Sequence, residues 1–326
     1  MRMSRRMIRP AALALASALL SACGAARPEP ARPGAGPAVP STIRVRHEGR
    51  IETVPLDLYA AIVALTELAP GAETAATATA LYETQIIVAR TYAASRRSRH
   101  AADGFDVCDT THCQRYEAAR VKTARWAPLA RDLATRTSGM VLVYDGRLVE
   151  AFFHADCGGH TADSADVWRT ARPYLVAKSD SGGNPHREWT TTLRRDAVEA
   201  ALRKDRRTRL DGALRSIEIA RRDRSGRAAR IRVTAGARGA STSTVEVDGD
   251  VFRSVVTAAL GFRVLPSTRF SLDDQPDGWR VTGTGFGHGV GLCQAGALSR
   301  ARKGADASEI LRFYYPGAII ERAARR

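Results

Sequence analysis

The chain predicts an α+β fold, with helices and antiparallel hairpins mixed rather than alternating. Three observations carry this. Two long apolar helical stretches fall in the first third, and strand-like alternation dominates from about residue 190 to 270. No regular strand–helix–strand order and no fixed-period repeat joins them.

The elements follow in order. IRVRHEGRIETV, Ile43 to Val54, alternates around Glu48-Gly49 and reads as a hairpin. VPLDLYAAIVALTELAP reads as a helix, with Leu58, Ile62 and Leu65 on one face, Asp57 as its cap and Pro70-Gly71 as its stop. A second helix runs from about Thr77 to Arg97 and stacks Leu81, Gln85, Val88 and Tyr92. The loop from Arg99 to Tyr116 holds CDTTHC. GMVLVYD and RLVEAFFHA are strands joined by Asp145-Gly146, a good hairpin turn, and CGGHTADSADVW is loop. Thr190 to Asp205 reads as a strand, then a helix. IEIA, RIRVTA and STVEV are strands with turns at Ser225-Gly226 and Asp248-Gly249, and WRVTGTG is another. Leu292 to Lys303 is helical. The last helix, Ala307 to Tyr315, has Asp306 and Glu309 spaced as a capping box and stops at Tyr315-Pro316-Gly317.

The N-terminus addresses the compartment. MRMSRRMIRP is basic, AALALASALL is apolar but too short to span a bilayer, and LSAC ends in Cys23. Residues 1–22 read as an export signal whose ending resembles a bacterial lipobox, which implies lipid on the Cys23 thiol. Residues 23–41 form a Pro/Ala-rich tether, and 42–321 form the domain. The protein is expected to be exported and lipid-anchored in the cell envelope, on the outer membrane face or in the periplasm.

A net charge of +16 calls for an anionic partner. Aromatic content of 6% and the lack of finger spacing or an RNA signature argue against nucleic acid. Setting Cys23 aside leaves Cys108, Cys113, Cys157 and Cys293, an even number that suggests disulfides outside the cytoplasm. Cys108 with Cys113 would close a small ring. Cys157 with Cys293 would then be a long-range staple, worth roughly 4–5 kcal/mol in chain entropy. The rival at the first pair is zinc, because His100 and His112 lie close by in sequence.

GFGHGVGLCQAGA raises a different question. Gly283, Gly285, Gly287, Gly289 and Gly291 fall on alternate positions, with His288 among them. The run fails the dinucleotide and phosphate-loop patterns, and no nucleophile elbow or H-E-x-x-H occurs. Something must come close to this backbone, either a ligand or the protein itself. Among carboxylates, Glu67 stands out because it lies late on an apolar helix. Such a setting favours the neutral acid that general acid catalysis uses.

VPLDLYAAIVALTE, Q-x-x-x-A-R-T-Y (Gln85 to Tyr92), CDTTHCQRY, CGGHTADSADVW, RPYL, GHGVGLCQAGA and YYPG together resemble the SpoIID/LytB family, the stage II sporulation protein D group, from about Ser41 to Glu321. The resemblance implies a SpoIID-like α+β fold and a peptidoglycan lytic transglycosylase acting on glycan strands stripped of stem peptides. It implies Glu67, eight positions after Tyr59, as the catalytic acid. Gln85, Arg90, Tyr92, Gly158, Gly159, Asp166, His288 and Gln294 are the implied substrate contacts. His100, Cys108 and Cys113 are the implied ligands of a structural zinc, and no cofactor is required for the reaction. LytB-type members imply an alternative: a glycan-binding protein that stimulates a partner amidase. The chain departs from the family in about five extra residues before Gln85, which bring Glu73 and Glu83 into play. It also has Cys157 and Cys293 where members often have serine, and Ala295 where many have a sugar-stacking tryptophan.

Overall fold

The computed structural model describes residues 37–180, 188–236 and 242–326. Cys23, the export signal and most of the tether lie outside the described residues. The chain begins with β1 (Ala38–Val39), β2 (Thr42–His47) and β3 (Arg50–Pro55), then α1 (Leu56–Glu67) and α2 (Ala75–Arg96). Next come β4 (Val107–Cys108), α3 (Arg120–Thr123), α4 (Ala127–Arg136), β5 (Met140–Tyr144), β6 (Arg147–Leu148), β7 (Phe153–His154) and α5 (Ser164–Trp168). The middle of the chain supplies β8 (Glu188–Arg194), α6 (Arg195–Lys204), β9 (Leu214–Arg222), β10 (Ala228–Gly236), β11 (Thr242–Asp248), α7 (Gly249–Leu260), β12 (Phe270–Gln275) and β13 (Gly278–Thr284). The chain closes with β14 (Leu292–Cys293), α8 (Gln294–Arg302), α9 (Ala307–Tyr314), β15 (Ile319–Arg322) and β16 (Ala324–Arg325). The fold is α+β, its sheets mostly antiparallel. Among the described residues, no helix is long and apolar enough to cross a membrane.

Two apolar cores organise these elements. The first gathers the N-terminal elements and everything from Val290 onward. Here α2 packs on α1, α4, α8, α9 and β5. Both central helices are therefore buried on nearly every side, and every residue from Tyr59 to Thr66 is buried. This corrects the single-face reading of α1: Leu58 is an exposed residue. Asp57 is not the cap either. Pro55 holds that position without a side-chain bond, and Asp57 turns inward to Arg90.

The second core runs from Leu193 to Val281. Sheets β11-β10-β9 and β12-β13-β8 form it, with α6 against β8 and α7 against β10. Asp248-Gly249 is not a turn but the start of α7. The glycine is required there because a Cβ would lie 1.7 Å from Ala228 O. The chain enters this core on β8 and leaves on β13, where Glu188 and Thr284 are register partners.

The Glu48-Gly49 and Asp145-Gly146 turns are present, all four residues at positive φ. The second strand of the latter hairpin is interrupted: β6 pairs with β5, while β7 pairs in parallel with β14. At the C-terminus β15 completes the sheet of β5, and β16 pairs with β1. The Asp306 box closes α9 as the spacing predicts, both reciprocal bonds being made.

Candidate functional site

Glu67 is the last residue of α1, where the helix hands over to Leu68. Its Oε1 accepts a hydrogen bond from the backbone N–H of Arg115 at 2.8 Å. Thr66 Oγ1 accepts the neighbouring N–H, from Glu117, and Arg120 Nε donates to Leu65 O. The end of α1 is thus stitched to the segment after the cysteine loop. Desolvation raises the Glu67 pKa, the Glu117 charge adds to that, and the Arg115 N–H and guanidinium work against it. A carboxyl group so placed holds its proton to higher pH than an exposed one.

The two other carboxylates differ. Glu73 is held ionised by Arg302, which lowers its pKa. Glu83 is half-buried on α2 and its pKa is raised by burial, opposed by Arg136. Neither is tied to the cysteine loop.

That loop brings His100, Cys108 and Cys113 together, and it adds His112. One ligand atom from each of the four lies within 4.8 Å of the others. His100 Nε2 is 3.4 Å from Cys113 Sγ, and His112 Nδ1 is 3.7 Å and 3.8 Å from Cys108 Sγ and Cys113 Sγ. Tetrahedral zinc, with bonds of about 2.0–2.1 Å to nitrogen and about 2.3 Å to sulfur, has donor-to-donor edges of roughly 3.3–3.8 Å. The residues fit such an ion. His100 Nδ1 also meets Asp103 Oδ2 at 3.2 Å, the outer carboxylate that zinc-bound histidines commonly keep. One adjustment is needed. Arg99 sits 2.9 Å from His112 Nε2 and must swing away once that nitrogen carries the proton. A zinc ion would supply structure, not chemistry, to the site. It would fix a loop that continues into Gln114, whose Oε1 accepts from Tyr59 OH at 3.0 Å, and then into Arg115.

The cysteine readings need correction. All four described cysteines are free thiols, so neither the Cys108–Cys113 ring nor the Cys157–Cys293 staple is formed. Each pair instead shares its pocket with histidine nitrogen.

Several expected sugar contacts are also placed otherwise. Arg90 is 0% exposed, and its donors are spent on Asp57 at 2.7 Å, Met140 O, Ala134 O and Thr137. It braces α1, α2 and α4, with four of its five N–H donors engaged inside the protein. Gln85 and Gln294 are buried against each other, Gln294 Nε2 donating to Gln85 Oε1 at 3.4 Å. Tyr92 is buried edge-on to Phe152.

The glycine run packs against the protein itself. A Cβ at Gly283, Gly285, Gly287, Gly289 or Gly291 would come within 2.3, 2.8, 2.7, 2.5 and 2.1 Å of other residues' atoms. At Gly291 that atom is Phe152 O, and at Gly289 it is the Arg227 guanidinium. Gly158 is similarly confined, against Thr284 at 2.8 Å. Gly159 adopts φ of 100° and its carbonyl accepts from Asp180 N.

The run therefore joins the two cores. Arg227 reaches from the second core to donate to Cys157 O at 2.7 Å, and burial holds its pKa down to about 10. Asp166, expected at the substrate, pairs with Arg221 at 3.6 Å across the same junction. Asp163 and Arg224, and Asp248 and Arg169, add further pairs. His288 packs on Trp168 and His154 with ring centroids 5.0 and 5.4 Å away. Its Nδ1 accepts from Val290 N, and desolvation with Arg253 and Arg227 holds its pKa down to about 3. It is a neutral imidazole.

Sequence reasoning missed Arg227, Arg115 and Asp180. Arg227 follows a Ser-Gly turn and reads as one more surface cation. Arg115 acts through its backbone, which no residue type reveals. The groove of about 400 Å³ beside Leu142, Leu311 and Ile320 is lined by none of the Glu67 neighbours.

Comparison with known proteins agrees with this division of the chain. Residues 46–144, which hold Glu67 and the cysteine loop, match the SpoIID model, described as stage II sporulation protein. Residues 176–291, which contain the second core, match a domain of unknown function, DUF8618. An uncharacterized protein of Brachyspira hyodysenteriae is 31% identical over 72% of this chain and 60% of its own length. The amidase enhancer of Bacillus subtilis is 28% identical over 72% of this chain but only 37% of its own. The chain thus spans less than two thirds of either relative. Stage II sporulation protein D of Bacillus subtilis is 26% identical over 84% of this chain and 76% of its own length. The matched model and these relatives support membership of the SpoIID family, with the SpoIID match itself spanning residues 46–144.

Proposed function

We propose that this protein is a peptidoglycan lytic transglycosylase with Glu67 as its acid. One observation carries the reading: Glu67 ends α1 with a desolvated carboxyl group, its pKa raised, steadied by a single backbone N–H. In the reaction, Glu67 gives its proton to the oxygen between N-acetylmuramic acid and N-acetylglucosamine as the bond from C1 to that oxygen breaks. The resulting carboxylate then takes the proton of the muramyl C6 hydroxyl as O6 bonds to C1. The products are a 1,6-anhydro end and a free 4-hydroxyl, and no water is consumed. Because the nucleophile belongs to the sugar, a second catalytic carboxylate is not needed. Without the four arginines of the export signal the net charge is 16 − 4 = +12, which still suits an anionic wall polymer. Export and lipidation at Cys23 would hold the domain beside the wall and are part of the proposal.

A second reading is favoured by the amidase enhancer relative. The chain would then bind glycan and stimulate an amidase without cutting. Incubation of wild type and Glu67→Gln with peptide-free glycan strands, followed by mass spectrometry, separates the two. Anhydromuramyl ends from wild type alone support the transglycosylase. Binding by both proteins with no ends from either replaces it with the second reading.

A further inference from the structure

We infer that His154, Cys157 and Cys293 form a second metal site, distinct from the cysteine loop beside Glu67, that takes a zinc-class cation at the junction of the two cores. The proposal goes beyond the reading of Glu67 and does not depend on it. A ring nitrogen of His154, Cys157 Sγ and Cys293 Sγ lie within 4.8 Å of one another. They come from three segments: β7, the turn after it, and β14. All are buried, the cysteines at 0% exposure and His154 at 4%.

The histidine discriminates between explanations. His154 Nδ1–H donates to Val290 O at 3.2 Å, which places the lone pair on Nε2. Among the described residues, that Nε2 has no hydrogen-bond partner. Leaving a buried acceptor unsatisfied is costly, and native structures seldom do so without cause. A disulfide would join the sulfurs and leave this nitrogen as it is. A metal uses all three atoms. A backbone carbonyl on the far ring nitrogen is also the usual outer partner of a metal-bound histidine.

The sulfurs have fixed neighbours as well. Cys293 Sγ accepts N–H bonds from Cys157 at 3.2 Å and from Gly296 at 3.3 Å. Cys157 Sγ lies 3.5 Å from Asp180 Oδ2, so a carboxylate borders the cysteine pair. Asp180 stands outside the three-residue cluster as an outer carboxylate, its Oδ2 accepting from Tyr314 OH at 2.7 Å and its Oδ1 from Arg300 at 2.9 Å. On binding, two metal–sulfur bonds form and the two thiol protons leave to solvent. The divalent charge is neutralised by two thiolates, and the Asp180 charge stays matched by Arg300. Burial means that the ion enters as the chain folds. Thiolate and imidazole together select zinc over calcium or magnesium.

The test is a metal count on the full chain in a Cys23→Ser background. Protein folded with zinc and freed of excess is assayed by inductively coupled plasma mass spectrometry. Two zinc per chain are expected for this parent, one for Cys108→Ser/Cys113→Ser, and one for Cys293→Ser. Serine at Cys293 can still cap α8, so that variant should fold, and circular dichroism checks it. Should it not fold, His154→Gln takes its place in the count. Cobalt added during folding of Cys108→Ser/Cys113→Ser should give thiolate-to-metal absorption from the remaining pair. An unchanged zinc count in a folded Cys293→Ser or His154→Gln, or no such absorption, overturns the proposal. So does alkylation with mass analysis showing Cys157 linked to Cys293 by a disulfide.

Discussion

The backbone N–H of Arg115 holds Glu67 Oε1 at 2.8 Å, and Arg115 lies just beyond Cys113 in the chain. The acid and the cysteine loop are therefore one mechanical unit. Whatever orders the loop orders the carboxyl group.

Removing metal should loosen Glu67 before it unfolds anything else. Chelation, or Cys113→Ser, is expected to raise amide exchange at Gln114 to Glu117 by about tenfold or more, leaving α2 protected. Hydrogen exchange with peptide-level mass analysis reads this directly. Equal protection with and without metal would show that packing of Tyr116 on Tyr59 suffices to hold the segment.

Glu67 should cost stability at neutral pH. Its folded pKa is raised, so the folded state holds the proton more tightly than the unfolded chain. The contribution is fully present below the unfolded pKa and is lost as pH rises through the folded one. Glu67→Gln cannot lose a proton, and its amide oxygen can still accept from Arg115. Its Tm should exceed that of wild type at pH 7, and the two should converge below about pH 4. A lower Tm for the variant at pH 7 would mean that attraction to Arg115 outweighs desolvation.

Arg90→Ala should damage the fold rather than sugar binding. It removes one of the two arginines on Asp57, which keeps Arg325 and Ser138, and leaves three mostly buried backbone or hydroxyl acceptors unpaired, a loss of about 3–5 kcal/mol in denaturant titration. Glycan affinity per folded molecule should stay within about twofold. A variant of wild-type stability with lost affinity would return Arg90 to the binding surface.

The glycine run can be tested against a glycine that has room. Gly291→Ala sets a Cβ 2.1 Å from Phe152 O at φ of +74°, and about 2–5 kcal/mol of destabilisation is expected. Gly304→Ala meets nothing within 4 Å and bears only its φ of +92°, about 1–2 kcal/mol. Chemical denaturation of both separates backbone strain from crowding. Similar losses would mean that the neighbours of Gly291 yield.

Local rules made parts of this legible in advance. The Glu48-Gly49 turn, the alternation of β9 and β10, and the box at Asp306 each need only neighbouring residues to act. Two readings failed because tertiary packing decided them. Leu58 fits a helical stripe, yet α1 is enclosed on its other sides and Leu58 is left outside. The family resemblance implied Arg90 and Gln85 as substrate contacts; in the fold Arg90 pairs with Asp57 and Gln85 accepts from Gln294. Matching Cys108 with Cys113 left Cys157 for Cys293, but nothing local added His154, since only the β7–β14 pairing brings it there.

The register match of Glu188 with Thr284 has a consequence for how such a chain could arise and be re-engineered. The second core is plugged in through two adjacent strand ends, like a cassette on a double stem. A cassette of that kind can be exchanged for another of different size without re-threading its host, because the stem spans the same gap. The lock is Arg227, whose guanidinium fills the space at Gly289 and reaches Cys157 O. A substitute cassette would need to bring its own cation to that keyhole, or the host would have to grow a side chain at Gly289 to close it.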